Sequence, residues 1–116
     1  MNKRIMFKNM AHSDTMQEYV NKKLEKVEKF LKRENAPIYI DVILEQSSTH
    51  THPRVEIRIK TPNFEEVANH EHEGVEIYEA IDRAVDVMYR LLLQHKEKAI
   101  SERKSRGRHD DFKKQR

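Results

Sequence analysis

The residues best suited to chemistry in this sequence are two pairs of histidines, His50-Thr51-His52 and His70-Glu71-His72. Residues two apart in an extended chain project to the same side, so each pair would present two imidazoles together. Imidazole is a ligand for zinc and nickel, and Glu73 stands beside the second pair as a carboxylate donor. Histidines in polar loops also occur as plain surface residues, and that reading stands beside the metal one. Other chemistry has less to work with. The chain has no cysteine, hence no thiolate nucleophile, disulfide or thiolate metal site. It carries no glycine-rich phosphate loop and no nucleophile motif. Asp82 and Asp86 stand four residues apart on what reads as an outer helical face, where solubilising charge accounts for them. The expectation is a non-enzymatic protein without a cofactor. The metal expectation is none, with His50, His52, His70 and His72 as the candidate set.

These residues sit on a chain of 116, enough for one domain with one modest core. Hydrophobic residues make up 36% and charged residues 37%, so the core must be thin, a sheet covered by helices on one side. No stretch approaches a signal peptide or a transmembrane span, so the expected location is the cytoplasm.

The longest apolar pattern runs from Ile77 to Ala99 without Gly or Pro. Ile77, Ile81, Ala84, Val85, Met88, Leu91, Leu92, His95 and Ala99 recur at the spacing of a buried helical stripe. Such a helix spans roughly 35 Å, whereas a seven-residue strand covers about 23 Å, so the helix overhangs any small sheet that it caps. An earlier helix reads from Ser13 to about Arg33, with Met16, Val20, Leu24, Val27 and Leu31 as its stripe. Ser13, Asp14 and Thr15 can each cap it, and Asp14/Gln17 and Thr15/Glu18 have capping-box spacing. Opposite the stripe, Lys22, Lys26, Lys29 and Arg33 line up, either as a solvated face or as a row for phosphates.

Four strands complete the pattern. Lys3 to Met10 is short and mixed. Ile38 to Glu45 and Arg54 to Lys60 alternate cleanly, and Glu65 to His72 has ambiguous facing. The order β-α-β-β-β-α gives an α+β fold. It has a four-stranded sheet with two helices on one face, and resembles the double-stranded-RNA-binding topology with one strand added in front. The meander brings the loop before Arg54 and the end of the last strand to one corner, where the four histidines would meet. Tyr89 and Leu93 lie off the helical stripe, as an exposed apolar spot for a partner or sheltered under neighbouring basic stems.

Charge is unevenly spread. From Ser101 to Arg116 seven Lys or Arg face three acids, so the chain's net +3 resides in this end and the first hundred residues are slightly acidic. The expected organisation is a domain over 1–100 and a flexible basic tail over 101–116 that is drawn to polyanions or serves solubility.

Two helical motifs carry a family resemblance. Tyr78-Glu-Ala-Ile-Asp-Arg-Ala-Val-Asp86, with Arg90, Leu92 and His95-Lys96, resembles a helix of the ribosome hibernation-promoting factors and ribosome-associated inhibitors. Glu18-Tyr-Val-Asn-Lys-Lys-Leu-Glu-Lys-Val-Glu-Lys-Phe30 resembles their first helix, and the strand order agrees. The resemblance covers about residues 3 to 98 and is to a short form, without a further C-terminal dimerisation domain. It implies a protein that occupies the messenger and transfer RNA channel of the small ribosomal subunit and silences ribosomes under stress. The implied partners are that subunit and its ribosomal RNA, with no membrane, no DNA, and a monomer off the ribosome. The implied RNA-facing residues are Lys22, Lys23, Lys26 and Lys29 on the first helix and Arg83, Arg90, Lys96 and Lys98 on the second. Asp82 is implied to be structural. Two usual lysines are Val87 and Gln94 here, and a usual glycine after the first strand is replaced near Asn9. The alternative function is a protein-interaction or metal-responsive module of the same fold with weakened RNA binding.

Overall fold

The computed structural model describes residues 1–46, 53–71 and 76–107, with side chains in the last segment described through residue 96. The elements are β1 (Asn2–Lys8), α1 (Asp14–Lys23), α2 (Glu25–Leu31), β2 (Tyr39–Gln46), β3 (Pro53–Lys60), β4 (Glu65–Glu71) and α3 (Ile77–Gly107). The fold is α+β, as the periodicities indicate. The sheet order is β1-β2-β3-β4, with β1 parallel to β2 and the other pairs antiparallel.

One face of the sheet is apolar. Ile40, Val42 and Leu44 of β2 stand opposite Ile59, Ile57 and Val55 of β3, and all six are fully buried. The ambiguous strand β4 contributes Ala68 to this side, opposite Ile57. Its neighbours in the alternation, Glu66 and His70, therefore also lie under the helices, while Val67 is on the open side at 42% exposure. Between β3 and β4, the Thr61 hydroxyl accepts from the backbone N–H of Asn63 and of Phe64, both at 3.1 Å, closing the turn that Thr-Pro-Asn signals. Asn9 has φ 55°, a left-handed conformation that Asn tolerates better than most residues, at the place where a glycine is usual in the resembled family.

The first helix differs from the single element expected. It divides at Leu24, whose ψ of −8° departs from the helical value near −42°. No Gly or Pro marks the break, and the buried stripe continues through it: Leu24 itself is fully buried. Ser13 is the N-cap, accepting from the Met16 N–H at 3.2 Å, so neither capping-box spacing is used.

The long helix also differs. It continues to Gly107, so the expected flexible tail over 101–116 is helical for its first seven residues, and residues 108–116 lie outside the described ones. Nothing between Ile77 and Arg106 breaks a helix, and the first glycine met is the last helical residue. Among the described residues no helix is long and apolar enough to cross a membrane.

The helix α3 packs over β3 and β4, and His95 fastens it one turn beyond the buried Leu92. The His95 ring stacks on Phe64 with centroids 4.4 Å apart, and its Nε2 bonds Glu66 of β4. Ile81, Ala84, Val85, Met88 and Leu92 enter the core, whereas Ile77 and Leu91 are only half-buried. Leu92 is fully buried. Leu92→Ala is therefore expected to destabilise the fold by about 2–5 kcal/mol in urea unfolding, the usual range for a leucine cavity.

Candidate nucleic-acid interface

The two helical arms meet along a seam whose contacts advance together. Tyr19 lies edge-on to Tyr78 with ring centroids 4.9 Å apart, and Phe30 is edge-on to Tyr89 at 6.2 Å. Between these ring pairs, Lys23 reaches Asp82 at 3.4 Å and Lys26 reaches Asp86 at 3.0 Å. The partners climb in step on both arms, so α1 and α2 run in the same direction as α3. Tyr19 also donates its hydroxyl hydrogen bond to Asp82 at 2.7 Å. Lys23 and Lys26 sit over the Tyr19 and Tyr89 rings, 5.5 and 5.0 Å from the centroids.

Asp82 sets the protonation of its neighbours. Its hydrogen bond with the Tyr19 phenol, helped by burial and by the carboxylate charge, raises that phenol above its ordinary 10.0. The same carboxylate's attraction raises the Lys23 ammonium above 10.5. The sequence reading of Asp82 and Asp86 as solubilising charges is thus corrected in part: both pair with lysines of the first helical arm, Asp82 half-buried and Asp86 still exposed. The structural role implied for Asp82 is what the geometry shows.

The residues named for RNA contact are divided by this seam. Lys23 and Lys26 lie in the furrow between the arms, already paired with carboxylates. Lys22 and Lys29 are exposed on the outer side, with no ion pair among the described residues. On α3, Arg83 pairs with Glu79 one turn earlier, while Arg90 and Lys96 are exposed and unpaired among the described residues. The Lys98 side chain lies outside the described ones. Val87 and Gln94 are exposed on the same side of α3 as Arg83 and Arg90. The row of Lys22, Lys26, Lys29 and Arg33 is exposed throughout, and within it Lys26 is paired with Asp86.

Two other expectations change. Tyr89 is half-buried against Phe30 and under Lys26, and Leu93 is half-buried, so they do not form an open apolar spot. Of the histidine corner, only His70 is described, half-buried on the helix-covered side. His50, His52 and His72 lie outside the described residues, among which no three His, Cys, Asp or Glu gather as metal ligands. The aromatic pairs along the seam escaped the sequence reading. Their signal was Tyr19 and Phe30 on the border of the first stripe, matched by Tyr78 and Tyr89 on the second.

The proton linkage of the seam gives a measurable sign. Tyr19 and Lys23 both hold protons more tightly folded than unfolded, so their contribution is fully present below pH 10 and is lost as pH rises through their raised values. Asp82→Asn should flatten this alkaline loss. The check is the difference in urea midpoint between pH 8 and pH 11, which should be larger for the parent than for the variant.

Comparisons with known proteins follow the same architecture. Residues 4–100 match the family described as sigma 54 modulation protein / S30EA ribosomal protein. No curated protein matches the chain in sequence. Among solved structures, the chain is similar to the Thermus thermophilus Protein Y N-terminal domain at 25% identity and a TM-score of 0.64, covering 82% of this chain and 99% of that one. It also shares its fold with a ribosomal subunit interface protein from Coxiella burnetii, at 19% identity and a TM-score of 0.63, covering 84% of this chain and 99% of that one. The family match extends from β1 into α3 and takes in the whole seam: the chain belongs to the sigma 54 modulation protein / S30EA ribosomal protein family.

Proposed function

We propose that this protein is a non-enzymatic ribosome-associated factor that binds the small subunit through its ribosomal RNA, in the channel for messenger and transfer RNA, and holds ribosomes inactive under stress. The family and the subunit-interface protein of the same fold support a ribosomal partner. The observation that carries the reading is the outer side of the helical layer. Lys22 and Lys29 on one arm and Arg90 and Lys96 on the other are exposed and without an ion pair among the described residues. Cations held on rigid helices position a protein on a phosphate backbone without reading sequence. Between them, Lys23 and Lys26 pair with Asp82 and Asp86 in exposed contacts that leave both lysines able to join the same surface.

The experiment is RNA footprinting on the decoding region of purified small subunits. Lys22→Glu with Lys29→Glu should abolish the protected position while leaving the seam and the melting temperature intact. Deleting residues 101–116 should weaken binding yet keep the position. It should also flatten the salt dependence, by a slope of about 0.7–0.9 for each phosphate that the basic end neutralises. A double variant that keeps the footprint while the truncation loses it would place recognition in the basic end instead.

A further inference from the structure

The open face of the sheet carries a feature that the helical surface does not use. Of the four tyrosines in the chain, Tyr19, Tyr78 and Tyr89 are packed against other rings. Tyr39 is 44% exposed on the open side of β2 and has no ring partner among the described residues. It borders an open basin of about 870 Å³ lined also by Arg4, Asp41, Arg58, Lys60 and Glu65. The register explains the grouping. Tyr39 is directly opposite Lys60, and the next row on this face is Arg4, Asp41 and Arg58, so cations stand on both strands flanking the ring.

These cations are held loosely. Arg4 meets Asp41 at 3.4 Å with 66% of its side chain exposed, and Arg58 meets Glu56 at 3.3 Å with 50% exposed. Lys60 is exposed without an ion pair among the described residues. The Arg4–Asp41 pair is exposed and contributes little, so Arg4 can turn to a phosphate at small cost, and if Arg58 turns away the buried Glu56 keeps Arg54 at 2.6 Å. The carboxylates of Asp41 and Glu65 can accept hydrogen bonds from base amino groups. An uncovered aromatic ring on a sheet, with cations to either side, suits an unstacked base and its flanking phosphates. An acidic peptide would satisfy the cations but leave the ring unused.

We propose that the open sheet face is a second RNA-binding surface, on which Tyr39 stacks a base of single-stranded RNA while Arg4, Arg58 and Lys60 hold the neighbouring phosphates. Only the choice of RNA over DNA rests on the ribosomal reading.

The test is fluorescence anisotropy of a labelled hexauridylate with the full chain. Tyr39→Phe should bind like the parent, and Tyr39→Ala should bind about tenfold more weakly, toward the lower end of the stacking range. Lys60→Ala should weaken binding and reduce its salt dependence, and Lys22→Glu with Lys29→Glu should retain the dependence on Tyr39. Should Tyr39→Ala melt within the assay range, Tyr39→Trp decides, since stacking requires binding at least equal to the parent. The proposal is overturned if Tyr39→Ala binds like the parent, if Tyr39→Phe or Tyr39→Trp loses binding, or if an abasic oligomer of equal length binds equally well. Because none of these sheet variants alters Lys22 or Lys29, failure here leaves the footprint of the helical surface as a separate result.

Discussion

The sheet has a single apolar face, and both helical arms have to share it. The valines, isoleucines and leucines of β2 and β3 point one way except for Ile43, which stands opposite Glu56 on the other face among the ion pairs of Glu45, Arg54, Glu56 and Arg58. The strand order then forces the arms to run side by side in the same direction, with their dipoles aligned rather than opposed. Parallel neighbours gain nothing from dipole attraction, so side chains must hold the seam. Two lysine–aspartate pairs and two edge-on ring pairs do so here. The lysine–aspartate contacts are exposed enough that none alone contributes much, and the rings supply the buried area.

That arrangement also divides the lysines of the first arm into paired and unpaired ones. A lysine on the inner flank of the first arm meets a carboxylate, whereas Lys22 and Lys29 on the outer flank have no ion pair among the described residues. Lys23 and Lys22 are adjacent in sequence yet belong to different categories, as are Lys26 and Lys29.

The strands and the core were legible because their periodicity is strict: β3 alternates from Arg54 to Lys60, β2 alternates but for Ile43 on its open face, and α3 keeps its stripe from Ile81 to Leu92. The parallel pairing of β1 with β2 fits the helical connection between them. What escaped depends on relations between elements rather than within them. The division at Leu24 is invisible because leucine is a good helix former and the stripe passes through it. The facing of β4 was ambiguous because Glu66 and His70, both polar, lie on the covered side, where Glu66 is engaged by His95. The roles of Lys23, Lys26 and Tyr89 could be assigned only once it was known which flank of each helix met the other. The phosphate row was legible as a set of residues but not as a surface.

The length of α3 has a consequence for how its charge is displayed. Its 31 residues extend about 46 Å, against about 26 Å for an eight-residue strand. A short basic peptide in water would be a marginal helix, because fixing the first turn is the unfavourable step. Here the packed turns from Ile81 to Leu92 act as a nucleus, and the segment carrying Arg103, Lys104 and Arg106 needs only propagation. The basic residues are thus carried on the continuation of a packed helix. Its length can be changed by substitutions near the helix end that leave every buried residue in place.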